Sequence, residues 1–152
     1  MCTLSKIIQI ALICLGWYVV HYFSSKRDLD KIKREMLLKE SDSLSDIVDL
    51  IFNLAVEYHT SDLSNFSDES TLKIRLQDLS HRLSLLNKTT SEAPIINCAA
   101  KEFILFKRAI TERNFEDEHS KLSNNSEQIQ DIAASAVSLK HMILSFKHSQ
   151  IN

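Results

Sequence analysis

Glycine and proline are almost missing from this chain, and their scarcity restricts its fold more than any other feature. The only glycine is Gly16 and the only proline is Pro94 in 152 residues. β-Hairpins and tight turns depend on these two residue types, because glycine adopts positive φ angles and proline fixes φ at turn positions. The sequence therefore predicts an all-α protein whose helices are joined by loops rich in Ser, Asn and Asp.

The same scarcity excludes several kinds of functional site. Phosphate-binding loops, dinucleotide-binding turns, nucleophile elbows and calcium loops all need glycine for close backbone approach. The six histidines form no HExxH motif and no pair one helical turn apart. Cys98 is the only cysteine beyond the N-terminal segment, and we interpret it as a small core residue. We predict no catalytic residues, no metal site, no cofactor and no enzymatic activity.

An uncharged apolar segment occupies residues 7–23. As a helix it would be about 25 Å long, near the lower limit for crossing a bilayer. Trp17, Tyr18 and Tyr22 crowd its C-terminal end, where aromatic rings favour the headgroup region. A signal peptide would need small residues at its cleavage point, and "VVHYFSSKRD" supplies bulky ones. A core helix would rarely be so uniform around its circumference. The segment predicts a single transmembrane anchor.

A basic run follows the apolar segment, whereas only Lys6 precedes it within the chain's first six residues. Positive charge favours the cytoplasmic side, so the body of the protein is predicted to lie in the cytoplasm below the inner membrane. Asn65, Asn87 and Asn124 begin triplets of the N-glycosylation pattern, a competing hint that the charge bias outweighs. The basic residues are also predicted to bind anionic lipid headgroups. They are Lys26, Arg27, Lys31, Lys33 and Arg34.

Gln9 and Gly16 are seven residues apart and so share one face of the predicted anchor. An amide and a small residue on one face favour close helix association in lipid, which predicts a homo-oligomer. The alternative is that Gln9 lies at the outer interface and is hydrated there.

We predict three parts: an anchor at 1–24, a basic stalk helix at 25–40 and a helical bundle at 41–152. Four amphipathic segments with short links predict a cytosolic antiparallel four-helix bundle, the first helix starting at a capped "SLSD" with Ser43 and Asp46. The leucines from Leu72 to Leu86 could form a coiled-coil seam, but a bundle core is the favoured interpretation. The predicted core residues are Ile47, Leu50, Ile51, Leu54, Tyr58; Leu72, Leu76, Leu79, Leu83, Leu86; Ile96, Ala99, Phe103, Phe106, Ile110; Ile129, Ile132, Ala136, Ile143 and Phe146.

Charge falls in blocks although the net charge is only −2, which gives no reason to expect a DNA partner. Acidic residues dominate before Lys73, and basic residues dominate from there to Arg113. Two pairs of cations share helix faces, which predicts a phosphate-binding pocket between the second and third helices or across a subunit interface. The predicted ligand-binding residues are Arg75, Arg82, Lys101 and Arg108, with Arg113 and Asn114 at the rim. The alternative is a solvated surface, with Asp78–Arg82 and Arg108–Glu112 as ordinary intrahelical pairs.

In layout, the anchor at 7–23 and the four basic positions of the bundle resemble the small membrane-anchored effectors of bacterial antiphage systems, including those that respond to cyclic oligoadenylates in type III CRISPR signalling. The resemblance implies a non-catalytic protein whose cytosolic domain senses a cyclic nucleotide or another anionic ligand. Such a protein would oligomerise and perturb the membrane. The other hypothesis is a passive membrane-tethered adaptor that recruits a cytosolic protein.

Overall fold

Four α-helices form the part of the chain that the computed structural model describes, namely residues 2–61, 66–89, 93–112, 115 and 121–150. They are α1 (Cys2–Thr60), α2 (Phe66–Thr89), α3 (Ala93–Thr111) and α4 (Glu127–Ser149). None of these residues lies in a strand, so the all-α prediction is confirmed.

The chain divides into two units, Met1–Met36 and Leu37–Asn152. The first contains the N-terminal part of α1, and the second contains the rest of α1 with α2, α3 and α4. The predicted domain limits at 24 and 40 stay predictions.

The predicted helix start at Ser43 and Asp46 is wrong, because α1 runs through both residues without a break. Serine and aspartate favour helix starts when their side chains compete for nearby backbone groups. Here the Ser43 hydroxyl accepts a hydrogen bond from Arg82 of α2 at 3.3 Å, and Asp46 is exposed. Ser41 is buried, and its hydroxyl donates to the Leu37 carbonyl one turn earlier. These polar side chains therefore have partners that are compatible with a continuous helix.

On every helix of the second unit, buried apolar residues recur at alternating steps of three and four residues. This spacing is typical of bundles with coiled-coil-like packing. The prediction of a helical bundle is confirmed, and so is the assignment of the α2 leucines to its core. The buried apolar residues are Leu44, Val48, Ile51, Ala55, Tyr58; Leu72, Leu76, Leu79, Leu83, Leu86; Ala99, Phe103, Phe106, Ile110; Ile129, Ile132, Ala136, Leu139, Ile143 and Phe146.

The predicted inward face of α1 is partly wrong. Leu50 is exposed, and Ile47 and Leu54 are only partly buried. Leu44 and Val48 are fully buried in their place, so the face that packs in the core is rotated from the predicted one. The side chain of Ile96 lies outside the described residues.

Ion pairs and hydrogen bonds order the helices of the second unit. Lys140 and Lys147 of α4 pair with Asp49 and Asp42 of α1, so the two helices run antiparallel. Arg82 of α2 pairs with Glu40 of α1 at 3.3 Å. The α4 cations therefore neutralise part of the acidic first helix, a pairing that the charge blocks in the sequence do not reveal.

His59 ties the end of α1 to the end of α3. Its side chain is fully buried, and Nε2 donates to the Ile110 carbonyl at 3.0 Å. A carbonyl only accepts, so the Nε2 atom carries the proton. The His59 carbonyl accepts from the Leu122 backbone N–H at 2.8 Å, which holds the segment before α4 against α1. Sequence reasoning missed this residue.

We expect His59→Leu to destabilise the bundle by about 1–3 kcal/mol, because the Ile110 carbonyl would lose its buried partner. Thermal unfolding of the full chain in detergent micelles, followed by circular dichroism, measures the change. His141→Leu on the exposed face of α4 is the control. Equal melting temperatures for the two variants would contradict the structural role of His59.

Candidate functional site

The N-terminal part of α1 exposes apolar side chains on all sides. Leu12, Trp17 and Val20 are 64%, 74% and 66% exposed, and they point in different directions around the helix. Ile13, Leu15, Tyr18, Val19, Tyr22 and Phe23 are exposed as well. Isolated apolar residues are normal on a protein surface. A helix that is apolar around its whole circumference is typical of a segment that is covered by lipid or by another protein.

Among the described residues, no helix offers a stretch that is both long and apolar enough to cross a membrane. The backbone of the predicted span at 7–23 lies within the described part of α1, whereas the side chains of residues 7, 8, 10 and 11 are not described. The transmembrane anchor therefore stays a prediction.

The basic run after this segment is exposed throughout. Arg27, Lys31 and Arg34 line one shallow surface notch together with Asp30, so three of the five cations share a helix face. Gln9 and Gly16 are exposed, and a Cβ added at Gly16 would meet nothing within 4 Å. Lipid binding and self-association through these residues stay predictions.

Of the four predicted ligand residues that the structure describes, Arg82 has ion pairs with two carboxylates. Its guanidinium lies 3.3 Å from Glu40 of α1 and 3.3 Å from Asp78 on its own helix. Two carboxylates thus neutralise its charge and direct it toward α1. Arg75 precedes Arg82 by two turns and lies on the same side of α2.

Two of the other predicted ligand residues lie on the exposed surface of α3. Lys101 and Arg108 are exposed on α3, and Arg108 is 3.9 Å from Glu112. None of Arg75, Arg82, Lys101 and Arg108 lines the described pockets between α2 and α3. Arg113 and Asn114 lie outside the described residues. Anion binding by these six residues stays a prediction, and the four that are described line neither of these two cavities.

A groove of about 550 Å³ does lie between α2 and α3, and two other lysines line it. Leu76 and the buried ring of Phe103 form its apolar part, and Lys73 and Lys107 are its cationic residues, of which Lys73 has a carboxylate partner. Lys73 Nζ lies 2.6 Å from Glu69 and 5.6 Å from the centre of the Phe115 ring. The remaining lining residues are Gln77, Ser80, Thr111 and Phe115.

A second cavity of about 300 Å³ lies farther along the two helices, and Ser80 and Phe103 line both cavities. Small side chains, Ser84 and Ala100, line this part from both helices. The first cavity is lined by two lysines, and none of the described residues that line the second is charged. The first cavity alone is within the size range of small-molecule sites.

The described residues contain no group of three or more His, Cys, Asp or Glu side chains that could hold a metal ion. The prediction that Cys98 packs in the core is wrong, because this residue is exposed on α3. The next residue, Ala99, is the one that is buried in the core at this point of α3.

Comparison with protein-family models, with curated proteins and with solved structures finds no match for this chain.

Proposed function

We propose that this protein is a non-catalytic membrane protein, anchored by residues 7–23 of α1, with its helical bundle in the cytoplasm. The observation that carries the proposal is the apolar surface around the whole circumference of α1 between Leu12 and Phe23. A helix that packs on a protein needs only one apolar stripe, whereas a helix in lipid needs apolar side chains on every side.

The residues that border this surface support the same proposal. Trp17, Tyr18 and Tyr22 are exposed near its C-terminal end, as in the aromatic belts of membrane proteins. The exposed basic run begins three residues after Phe23. Each of these cations contributes about 1 kcal/mol of attraction to an anionic leaflet, and their excess favours the cytoplasmic side for everything that follows.

The bundle is proposed to sense an anionic ligand, and the protein to act at the membrane by self-assembly. The groove between α2 and α3 supports a ligand site better than the four predicted cations, because Lys73 and Lys107 line one cavity with an aromatic ring. A ligand that combines phosphate with an aromatic base, such as a cyclic nucleotide, matches this combination of charge and apolar surface. A perturbation of the bacterial membrane in antiphage defence remains the proposed outcome.

Titration of the full chain in detergent micelles with a panel of cyclic nucleotides and pyrophosphate tests the ligand site. We expect a double variant, Lys73→Gln with Lys107→Gln, to bind the responding nucleotide at least about tenfold more weakly, since hydrogen bonds to charged groups contribute about 1.5–3 kcal/mol each. The binding of the unaltered protein should also weaken as salt rises.

The matched control is Arg75→Gln with Lys101→Gln, which removes two exposed cations away from the groove. Equal loss in the control and groove variants would contradict the groove as the site. Failure of the whole panel, with one cytosolic protein purified in a fixed ratio, would support the passive adaptor instead.

A further inference from the structure

A second pattern runs along α1 within the first unit. Starting at Leu15, steps of three and four residues reach Tyr18, Tyr22, Ser25, Leu29, Ile32 and Met36. All seven side chains are exposed, and Leu29, Ile32 and Met36 are 66%, 54% and 66% exposed. This is the spacing of the a and d positions of a coiled coil, with Leu29 at a, Ile32 at d and Met36 at the next a.

The last three residues of this stripe lie beyond the apolar segment, among charged residues. Leu29, Ile32 and Met36 are flanked by residues 26–28, 30–31 and 33–35, all of which are charged. The lipid interior therefore does not account for this part of the stripe. Three large apolar side chains on one exposed helix face indicate a partner that covers them.

The charges beside the stripe indicate which partner. With Leu29 at a, the e positions hold Lys26 and Lys33, and the g positions hold Asp28 and Glu35. In a parallel pair, each g residue meets the e residue five positions later on the other helix. Asp28 then faces Lys33 of the other copy, and the symmetry of the pair gives this contact twice. The same rule places Glu35 opposite Glu40, which lies beyond the stripe and pairs with Arg82 of its own bundle at 3.3 Å.

An antiparallel pair would bring g residues near g residues and e residues near e residues. Asp28 and Glu35 would then repel each other, and so would Lys26 and Lys33. Within residues 15–36 the charges beside the stripe therefore favour a second copy in the parallel orientation, through the Asp28–Lys33 pair. A common membrane anchor imposes the same orientation.

We propose that residues 15–36 form a parallel, in-register coiled coil between copies of this chain, through the stripe from Leu15 to Met36. This inference rests on the proposed function and identifies the surface used for self-assembly. It differs from the predicted face of Gln9 and Gly16, which lies one helical position away from the stripe. Arg27, Lys31 and Arg34 lie outside the contact, on the helix face that lines the surface notch. There they can bind lipid headgroups.

Cysteine cross-linking of the full chain in native membranes tests the contact. Cys2, Cys14 and Cys98 are first replaced by serine, and single cysteines are then placed at each position from 24 to 36. Disulfide-linked dimers are expected at the stripe positions, with Leu29→Cys and Ile32→Cys the strongest. Cross-linking should fall to background for Arg27→Cys, Asp30→Cys and Arg34→Cys, because these residues point away from the contact.

A maximum at Asp30→Cys, the position that continues the Gln9 and Gly16 face by two further heptads, would overturn the proposal. Uniform cross-linking or none at all would overturn it too. Fractionation of the same samples separates this outcome from failure of the anchor: a membrane-bound protein without the pattern refutes the coiled coil alone. Protein found free of the membrane refutes the anchor.

Charge reversal gives a second, independent measurement on the Ile32→Cys reporter. Asp28→Lys and Lys33→Asp should each reduce cross-linking, and the double variant should restore it, because the pair is then reversed on both helices. Asp30→Lys, the same charge reversal at an outward position two residues later, is the matched control for Asp28→Lys and should leave the cross-linking unchanged. A double variant no better than either single reversal would contradict the parallel pairing.

Discussion

Replacement of both Leu12 and Leu15 by arginine is expected to release the protein from the membrane. These two residues lie in the middle of the apolar segment, and both are 64% exposed. Arginine at the centre of a membrane helix costs about 2.5–3.5 kcal/mol, so two of them cost about 5–7 kcal/mol. A span that is only about 25 Å long has little apolar surface to offset that cost. Carbonate extraction followed by centrifugation measures the fraction that stays in the pellet.

The control for this experiment places the same charges on the bundle. Leu85 and Leu105 are 47% and 51% exposed on α2 and α3, so arginine at both sites meets water in either state. This control variant should stay in the membrane pellet. Retention of the Leu12→Arg and Leu15→Arg variant in the pellet as well would contradict insertion of the segment.

Phe106→Ala is expected to have the largest effect on the stability of the bundle. The Phe106 ring is fully buried in the core of the second unit, so its removal leaves a cavity that the packed helices can fill only partly. Substitutions of this kind cost about 3–5 kcal/mol. Thermal unfolding of the full chain in detergent micelles should show a melting temperature lower by ~10 °C or more.

Leu105→Ala on the same helix is the matched control, because the neighbouring Leu105 side chain is half exposed. We expect its effect to be within about 0.5 kcal/mol, as for most surface substitutions. A smaller effect for Phe106→Ala than for Leu105→Ala would show that the core lies on another face of α3.

The sequence predicts most of the core because its apolar spacing is unambiguous on three helices. On α2, leucines at alternating steps of four and three leave no other buried face. On α1 two apolar faces compete: one includes Leu50 and Leu54, and the other includes Leu44 and Val48. Only the position of the neighbouring helices decides between them, so periodicity could not identify the buried face.

Polar residues within α1 have partners that are remote in sequence. From the sequence alone, Ser43 resembles a helix cap. In the structure its hydroxyl accepts a hydrogen bond from Arg82, 39 residues later. The buried contact of His59 with Ile110 joins residues 51 positions apart. Local sequence signals contain neither pairing, because both are set by the packing of α1 against other helices.

The candidate ligand groove shows the same limit. Residues seven apart share a helix face, which correctly groups Arg75 with Arg82 but does not say which neighbour that face meets. Arg82 meets Glu40 of α1, and Lys73 lines the groove toward α3. The sequence did contain one signal for the groove: Lys73 lies three residues before the core residue Leu76, and so on the same side of α2.

The most direct test of the central claim uses Cys98, which is exposed on α3, as a reporter of the side on which the bundle lies. In full-length protein with Cys2→Ser and Cys14→Ser, a membrane-impermeant maleimide is added to intact spheroplasts and to inverted membrane vesicles. An anchored protein with a cytoplasmic bundle should be labelled in the vesicles and remain unlabelled in the spheroplasts. Labelling of Cys98 in intact spheroplasts would contradict this account. Loss of the protein from the washed vesicles would contradict it too.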